Sequence, residues 1–183
     1  MPSEAAPVAS ENLRPAVNAR RNVDTFPAVF GRYVRFTVLA TRDGAEPCLD
    51  ELQVYGPGSH EDLALATNGA VATASGLLPG FDAHTIPHLN DGRFGNEYSW
   101  IGNVRGSGWA QVALPTARML NRVVWSRDGA EIPRFDDRFP TRYRIEVSED
   151  GNSWQTVSTE AGRSARRARS SRVIAFIRAS GCT

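Results

Sequence analysis

The chain has 183 residues, a formal net charge of +1 and two cysteines, Cys48 and Cys182. This length suffices for one domain with its own hydrophobic core, and two cysteines are too few for a disulfide framework. The near-neutral charge predicts neither a nucleic-acid partner nor attraction to an anionic membrane. No apolar run reaches the roughly 20 residues that a membrane-spanning helix needs.

Residues 1–28 are rich in Ala, Pro, Asn and Arg without a clear period, which predicts a flexible leader. They contain no apolar signal-peptide core. The first predicted strands follow at residues 32–38, where β-branched and aromatic side chains dominate, and at residues 49–55. In the second of these strands Leu52 and Val54 share one face.

The middle of the chain predicts three further strands separated by long polar loops. The strands cover residues 70–75, 109–114 and 120–125. A stretch rich in Gly, Pro, Asn and Asp covers residues 76–108, and a second polar loop covers residues 127–140. Such long irregular segments in a compact domain are typical of functional or ion-bound loops.

Residues 143–157 predict a β-hairpin. Tyr143, Ile145 and Val147 alternate with polar residues, as in a half-buried antiparallel strand, and an Asp-Gly pair at residues 150–151 suits the turn. Many short strands with turn signals between them, and hardly any helical period, predict an all-β protein built as a β-sandwich over residues 29–160.

The last residues, 161–183, carry a high density of arginine. Such a run predicts a solvated or disordered tail, with a nucleic-acid-binding arm as the alternative. The four tryptophans lie within or next to predicted strands, which predicts core packing for at least three of them rather than a platform for sugars. They are Trp100, Trp109, Trp125 and Trp154.

Seven short motifs occur in a particular order between residues 30 and 158. They are DLALA at 62–66, ATAS at 72–75, LNDG at 89–92, SW at 99–100, GWAQV at 108–112, RVVW at 122–125, and YRIEVSEDG at 143–151 followed by Trp154. In this order they resemble the discoidin family, also called the coagulation factor 5/8 type C domain, which overlaps family 32 of the carbohydrate-binding modules. The resemblance implies a jelly-roll β-sandwich of the galactose-binding-domain-like type.

One departure from the family concerns the order of its closing strands. RYVRF at residues 32–36 and ELQVYG at residues 51–56 would normally end the domain, but here they come first. The resemblance therefore implies a circular permutation, with residues 57–62 joining the former chain ends, which often lie close together in compact domains. The alternative is that residues 32–56 are the remnant of an upstream copy and that residues 172–177 supply the missing strand.

The resemblance also implies a structural calcium ion under the binding loops. Asp91 and Glu51 would supply carboxylates, Ser99 a carbonyl and a hydroxyl, and the remaining ligands main-chain oxygens. The implied ligand residues are Asp91, Glu51, Ser99, His88, Arg93 and Asp50. Calcium accepts six to eight hard oxygen ligands in flexible geometry, so this set suits it chemically. The alternative is that Asp91 and Gly92 form only a turn and that Glu51 is an exposed strand residue.

Ligand recognition in the family falls on loops at one end of the sandwich. Arg127 and Arg138 resemble the arginines that reach sugar hydroxyls in lectin-like members, because guanidinium offers a planar fork of donors. Alternatively, both pair with neighbouring aspartates and brace their loop. The other candidate ligand-binding residues are His84, Phe94, Tyr98 and Asn103.

The sequence offers little for catalysis. It contains no Gly-x-Ser-x-Gly, His-Glu-x-x-His or phosphate-binding glycine loop, and Pro87 between His84 and His88 disfavours a helical zinc pair. Asp136, Asp137 and Glu131 share a loop, so a glycoside hydrolase is an alternative.

The function expected from these features is a non-catalytic, lectin-like module that binds carbohydrate or a glycoconjugate, with calcium fixing its loops. We expect it to belong to a larger extracellular or cell-surface protein whose other domains it contacts. The alternative from a different class is a protein–protein interaction or structural accessory domain without a small ligand.

Overall fold

The computed structural model describes residues 14–161 and 163, and these form eight β-strands with three short 3₁₀ turns. The strands are β1 (Asn22–Thr41), β2 (Cys48–Leu49), β3 (Glu51–Tyr55), β4 (Val71–Ala74), β5 (Trp100–Ile101), β6 (Gly108–Ser126), β7 (Pro140–Ser148) and β8 (Gln155–Thr159). The 3₁₀ turns are Ala66–Asn68, Ile86–Asn90 and Asn96–Tyr98. The predicted all-β class is confirmed. No helix among the described residues is long and apolar enough to cross a membrane.

The two longest strands organise the main sheet, whose order is β3-β6-β1-β7-β8 with β4 also paired to β6. β1 and β6 run antiparallel along most of their lengths, with two irregularities in register. The first half of β6 pairs with β4 and its second half with β3. The two strands predicted separately at residues 109–114 and 120–125 are therefore two halves of one strand, β6. A small second sheet pairs β2 with β5.

The inner faces of both halves of this sheet pack on one hydrophobic core, as in a sandwich. Phe36 and Trp125, which come from different halves, have ring centroids 4.9 Å apart, and both are fully buried. Tyr143 of β7 stacks on Phe36 at 4.9 Å. Gly31 lies at one register irregularity, where a Cβ would come within 2.2 Å of Val147 Cγ1. Glycine fits at this position because any side chain there would collide with that of Val147 on the neighbouring strand.

The β7–β8 hairpin confirms the strand pair predicted at residues 143–157. Its turn is organised by Asp150, whose Oδ1 accepts hydrogen bonds from the backbone N–H groups of Asn152 and Ser153, both at 2.8 Å. These bonds to the charged form, together with one from Ser148, lower the pKa of Asp150 to about 2. Gly151 adopts φ = 79° there, the conformation that the Asp-Gly pair predicted.

The predicted leader is wrong for its described part. β1 begins at Asn22, and Val17 and Ala19 are already buried before it. The side chain of Asn18 shapes a turn by accepting hydrogen bonds from the N–H groups of Arg20 and Arg21, both at 2.9 Å. A polar turn before an ordered strand has the composition of a flexible leader, so composition alone did not separate them. Residues 1–13 lie outside the described part.

The predicted tail begins with an ordered residue. The guanidinium of Arg163 donates to Asp24 Oδ2 at 2.7 Å and to the Tyr143 hydroxyl at 2.7 Å. Arg163 therefore belongs to the folded domain rather than to a solvated tail. Residues 164–183, including the segment 172–177 and Cys182, lie outside the described residues.

The prediction that at least three tryptophans pack in the core is wrong. Trp100 and Trp125 are fully buried, but Trp109 and Trp154 are half-buried on the outer face of the sheet. There the guanidinium of Arg35 lies over both rings, 4.9 Å from the centroid of Trp109 and 3.9 Å from that of Trp154. Because both tryptophan side chains lie on the outer face of the sheet, they form a cation–π stack with Arg35.

Candidate functional site

A pocket of about 380 Å³ lies between two loops at one end of the fold. One wall is formed by residues 94–98, which include the third 3₁₀ turn, and the other is the loop that follows β6. The lining residues are Phe94, Gly95, Asn96, Glu97, Tyr98, Asp128, Ala130, Ile132, Arg134 and Phe135. Its size falls in the range of small-molecule sites. We call it the loop pocket.

Asp50 holds the two walls of the loop pocket together from beneath. Its side chain is fully buried, and Oδ2 accepts hydrogen bonds from the N–H of Gly95 at 2.7 Å and of Gly129 at 2.6 Å. Oδ1 accepts a hydrogen bond from the Ser126 hydroxyl. Burial raises the pKa of Asp50, and these three hydrogen bonds oppose that rise. One side chain thus fixes the spacing of both loops.

Arg127 makes a second connection between the walls. It is 1% exposed, and its Nη1 donates to Asn96 Oδ1 at 3.0 Å while Nε and Nη2 donate to Asp137 Oδ1 at 3.0 and 2.8 Å. The guanidinium also lies 5.0 Å from the ring centroid of Phe135. These contacts hold Asn96 and Phe135 in the pocket walls, so Arg127 positions the residues that face a ligand.

Asp128 lines the loop pocket and carries its one unpaired buried oxygen. Its Oδ2 accepts hydrogen bonds from the N–H groups of Arg134 at 2.8 Å and Phe135 at 3.0 Å, which orders the second wall. Its Oδ1 is buried and has no hydrogen-bond partner among the described residues. Gly95 lies beside it, since a Cβ there would be 3.9 Å from this oxygen. An unpaired buried acceptor costs free energy that a donor on a ligand would recover.

Apolar side chains form the rim of the pocket. Phe94 and Phe135 are 41% and 40% exposed, and Ile132 is 78% exposed. The ring of Tyr98 is covered on one side by the guanidinium of Arg93, 3.5 Å from the centroid. Exposed rings of this kind, next to a few fixed polar groups, suit a flat ligand with one apolar face and polar edges.

The predicted ligand-binding residues divide between this pocket and other places. Phe94 and Tyr98 line it, and Arg127 lies behind its wall. Arg138 does not line it, because its guanidinium pairs with Glu46 at 2.7 Å and with Asp137 at 3.5 Å. The contacts of Arg127 and Arg138 are thus those of the alternative in which both brace the loop.

His84 and Asn103 also lie elsewhere. His84 is 8% exposed and its Nδ1 is 2.9 Å from the Ser99 hydroxyl oxygen. Burial and the charge of Arg127 lower the pKa of His84. Asn103 packs against Gly76, where an added Cβ would lie 2.1 Å from Asn103 Oδ1. Neither residue lines the loop pocket.

Seven lining side chains were not singled out as ligand-binding residues from the sequence. They are Asn96, Glu97, Asp128, Ala130, Ile132, Arg134 and Phe135. The available signal was the pair of long polar loops, but their mutual approach depends on Asp50, which lies far from both in sequence. Such pairings are set by tertiary contacts and leave no local pattern.

Of the residues implied as calcium ligands, Glu51 is fully buried, so the alternative of an exposed strand residue is wrong. Glu51 Oε2 accepts a hydrogen bond from the N–H of Gly92 at 3.1 Å, whereas Oε1 is buried without a partner among the described residues. Burial, with the charges of Asp62 and Asp91, raises the pKa of Glu51 to about 9. A cation in contact with Oε1 would offset the free-energy cost of burying a charged carboxylate and would also offset its repulsion by Asp62 and Asp91.

The other implied ligands have various contacts. Asp91 Oδ2 lies 2.7 Å from His88 Nδ1, and Asp91 Oδ1 accepts a hydrogen bond from the N–H of Arg93 at 2.9 Å, as in a turn. The Ser99 hydroxyl donates to the Asn96 carbonyl at 2.8 Å. The Asp50 side chain faces the loop pocket instead. Among the described residues no three His, Cys, Asp or Glu side chains form a metal-ligating group, so an ion here would depend on main-chain oxygens as well.

The carboxylates of the hydrolase alternative lie outside the loop pocket. Asp136 is 70% exposed and pairs with Arg42, Asp137 pairs with Arg127, and Glu131 is exposed. None of the three is among the residues that line the pocket.

Comparisons of the chain with protein-family models, curated proteins and solved structures gave no match.

Proposed function

We propose that the chain is a non-catalytic carbohydrate-binding module and that the loop pocket is its binding site. The observation that carries the proposal is the unpaired Asp128 Oδ1 in a pocket rimmed by exposed aromatic rings. Sugars combine hydroxyl donors on their edges with an apolar C–H face. The first would satisfy the aspartate after a small adjustment of the wall, and the second would stack on a ring.

Both walls of the loop pocket would contribute contacts to the sugar. Phe94 and Phe135 offer rings for stacking, while Asn96, Glu97 and Arg134 supply further polar groups around the sugar. Asp50 and Arg127 keep these groups at fixed positions through their hydrogen bonds to both loops. Because the walls are held before the ligand arrives, little ordering free energy is lost on binding.

The resemblance to the discoidin family supports the same function. We infer a permuted member, with a jelly-roll sandwich, that works as part of a larger extracellular protein. The pairing of β1 with both β6 and β7, and of β3 with β6, supports the permutation, because the first strands of the chain join the same sheet as the last. The hydrogen bond from Leu63 N to the Val54 carbonyl, at 2.8 Å, closes the short connection after β3.

We further propose a structural calcium ion beside Glu51 and Asp91. The unpaired Glu51 Oε1 and the raised pKa of this carboxyl support it. When bound, the ion would supply the positive charge that the described residues around Glu51 do not place there. Gly92, which is bonded to Glu51, lies two residues before Phe94, so the ion would steady the first wall of the pocket. Removal of calcium with a chelator should lower the melting temperature; an unchanged melting curve would exclude the site.

A glycan array, probed with and without calcium, tests the main proposal. We expect wild-type protein to bind a subset of glycans and Phe135→Ala to lose that binding. Phe30→Ala is the matched control, because Phe30 is 50% exposed on β1 and lies outside the loop pocket. No binding to any glycan under either condition would overturn the proposal.

The second candidate function is protein–protein interaction, and the exposure of Ile132 favours it. Together with Phe94 and Phe135, which are also exposed at the rim, Ile132 forms an apolar surface of the kind found at contacts between proteins. Loss of a protein partner in Ile132→Ser, with an empty glycan array for the wild-type protein, would favour this second function.

A further inference from the structure

A second, smaller pocket of about 200 Å³ adjoins the loop pocket and shares Phe94 with it. It lies on the outer face of β3 and the second half of β6. Its lining residues are Arg20, Arg21, Gln53, Phe94, Val124, Ser126 and Gly129. None of these is acidic. We call it the arginine pocket.

Two arginines beside the loop pocket, Arg127 and Arg138, each pair with a carboxylate. Arg134, in its lining, makes no ion pair among the described residues. Arg20 and Arg21 are exposed, and neither side chain has an ion pair within the described part of the chain. Two guanidinium groups on one side of a cleft, with no carboxylate to neutralise them, attract an anion.

A third arginine extends this cationic face. The strand register places Tyr55 of β3 opposite Arg122 of β6, and the Arg122 guanidinium lies 4.3 Å from the Tyr55 ring centroid. Arg122 Nη2 donates to the Ser59 carbonyl at 2.9 Å, while its Nε is buried without a hydrogen-bond partner among the described residues. Arg122 makes no ion pair among the described residues and so adds positive charge to this face, although the buried Asp62 carboxyl is hydrogen-bonded to Gln53.

The two pockets are held at a fixed spacing by backbone hydrogen bonds. The carbonyl of Ala19, next to Arg20, accepts from the N–H groups of Arg127 at 2.7 Å and Asp128 at 3.0 Å. The turn that carries the arginines is thus bonded to the wall that carries Asp128. Phe94 lies between them, packed so closely on Gly129 that a Cβ there would come within 2.6 Å of its ring.

We propose that the arginine pocket binds the carboxylate of a uronate residue whose neutral neighbour occupies the loop pocket, so that the ligand is an acidic heteropolysaccharide. This inference rests on the proposed function. A carboxylate accepts two parallel hydrogen bonds from one guanidinium, which gives arginine pockets a preference for it. In the loop pocket Asp128 and Glu97 outnumber the one arginine of the lining, Arg134, so a second carboxylate would be repelled and a neutral sugar belongs there.

The test uses a panel of uronate-containing heteropolysaccharides, each paired with its carboxyl-reduced form, which keeps the linkage but removes the charge. Affinities are measured by calorimetry at one fixed salt concentration, because electrostatic binding depends on salt. We expect reduction to weaken binding to the wild-type protein about tenfold or more, the effect of losing a charge-assisted contact.

Two variants with equal changes in charge locate the effect. Arg20→Ala/Arg21→Ala should bind the native and reduced forms alike, with affinity for the reduced form unchanged. Arg105→Ala/Arg118→Ala removes two exposed arginines outside both pockets and should keep the wild-type preference. If native and reduced polymers bind the wild-type protein equally, or if the Arg20/Arg21 variant keeps the preference, the proposal is overturned.

The remaining outcomes separate this inference from the proposed function. Binding of reduced, neutral polymers without any preference for the native forms would leave the loop pocket as a sugar site and reject the uronate subsite. Failure of every polymer, neutral or acidic, would reject both. Equal competition by dextran sulfate, a sulfated polymer without carboxylates, or by single-stranded DNA would show a non-selective cationic surface and would also overturn the uronate assignment.

Discussion

Two buried aspartates, Asp24 and Asp50, connect different parts of the molecule. Asp24 holds segments of the chain on the core through ion pairs, whereas Asp50 holds two loops together through hydrogen bonds alone. Asp24 accepts hydrogen bonds from Trp125 Nε1 at 3.0 Å and the Tyr143 hydroxyl at 2.9 Å, and it pairs with Arg163 at 2.7 Å and with Arg14. Asp50 accepts from two backbone N–H groups and a serine, with no ion pair. Both side chains are fully buried.

The difference lies in how each charge is compensated. Two guanidinium groups neutralise Asp24 and fasten residues 14 and 163 to the core, so this cluster serves stability. Asp50 has no guanidinium partner, only dipoles and the like charge of Asp128, and burial raises its pKa. Burial and the charges of Asp62 and Asp91 raise the pKa of its neighbour in sequence, Glu51, to about 9. Buried carboxylates without a cationic partner are a feature of functional sites. Asp50 is bonded to both walls of the loop pocket, and Glu51 is bonded to Gly92, close to the first wall.

Replacement of Asp24 should have the largest effect on stability. Asp24→Ala leaves two arginines without their buried partner and should lower the free energy of unfolding by about 3–5 kcal/mol. Asp136→Ala is the control, since Asp136 is 70% exposed in its pair with Arg42 and should cost about 1 kcal/mol or less. Urea denaturation measures both. Similar losses in the two variants would show that the Asp24 cluster is not the stronger fastening.

Glu51 should make stability depend on pH when calcium is absent. Between the ordinary pKa of 4.5 and about 9, the folded protein keeps a proton on this carboxyl that the unfolded chain has lost. The free energy of unfolding should therefore fall as pH rises through that window, by at most about 1.4 kcal/mol per pH unit. Urea denaturation at pH 6, 7 and 8 with a chelator measures the slope.

Glu51→Gln provides the control for that slope, because glutamine stays neutral throughout the window. We expect the variant to lose the part of the slope that Glu51 contributes, while Asp50 and Asp62, whose pKa values are also raised, keep theirs. Calcium should flatten the wild-type slope by taking the place of the proton. Identical slopes in wild type and variant would exclude Glu51 as the source.

Asp50→Ala should cost less in stability than the loss of Asp24, but more in binding. It leaves the N–H groups of Gly95 and Gly129 without their acceptor, which should lower the free energy of unfolding by about 2 kcal/mol. With its loops released, the pocket should bind glycans at least several-fold more weakly. Asp50→Asn retains an oxygen acceptor and should bind better than the alanine variant. Unchanged binding in Asp50→Ala would remove its positioning role.

Local patterns predicted much of the fold. Alternating side chains predicted the β7–β8 hairpin, and Asp150 with Gly151 predicted its turn, because both depend on neighbours in sequence. The same reasoning failed before β1. The segment there is polar, yet it is ordered by the side chain of Asn18 and by the buried contacts of Val17. At least three tryptophans were expected in the core, but Trp109 and Trp154 both lie outside it, because residue type alone does not show which face of a strand a side chain occupies.

The candidate site was predicted only in part. The sequence indicated the correct loops and two lining rings, Phe94 and Tyr98. It assigned direct ligand contact to Arg127, which the fold buries behind the wall, and it did not single out Asp128 as a ligand-binding residue. Whether an arginine in a polar loop faces a ligand or braces a wall depends on the carboxylates brought near it by distant segments.

By itself, the sequence determined an all-β domain, the positions of most strands and the two loops that carry the site, since periodicity and turn chemistry act over a few residues. Only the tertiary structure decided how those loops meet, because their spacing depends on Asp50, a residue between β2 and β3 that accepts hydrogen bonds from a backbone N–H group of each loop. It also decided which buried charges are neutralised. Asp24 gains two arginines from the two ends of the described chain, while Glu51 keeps an unpaired oxygen.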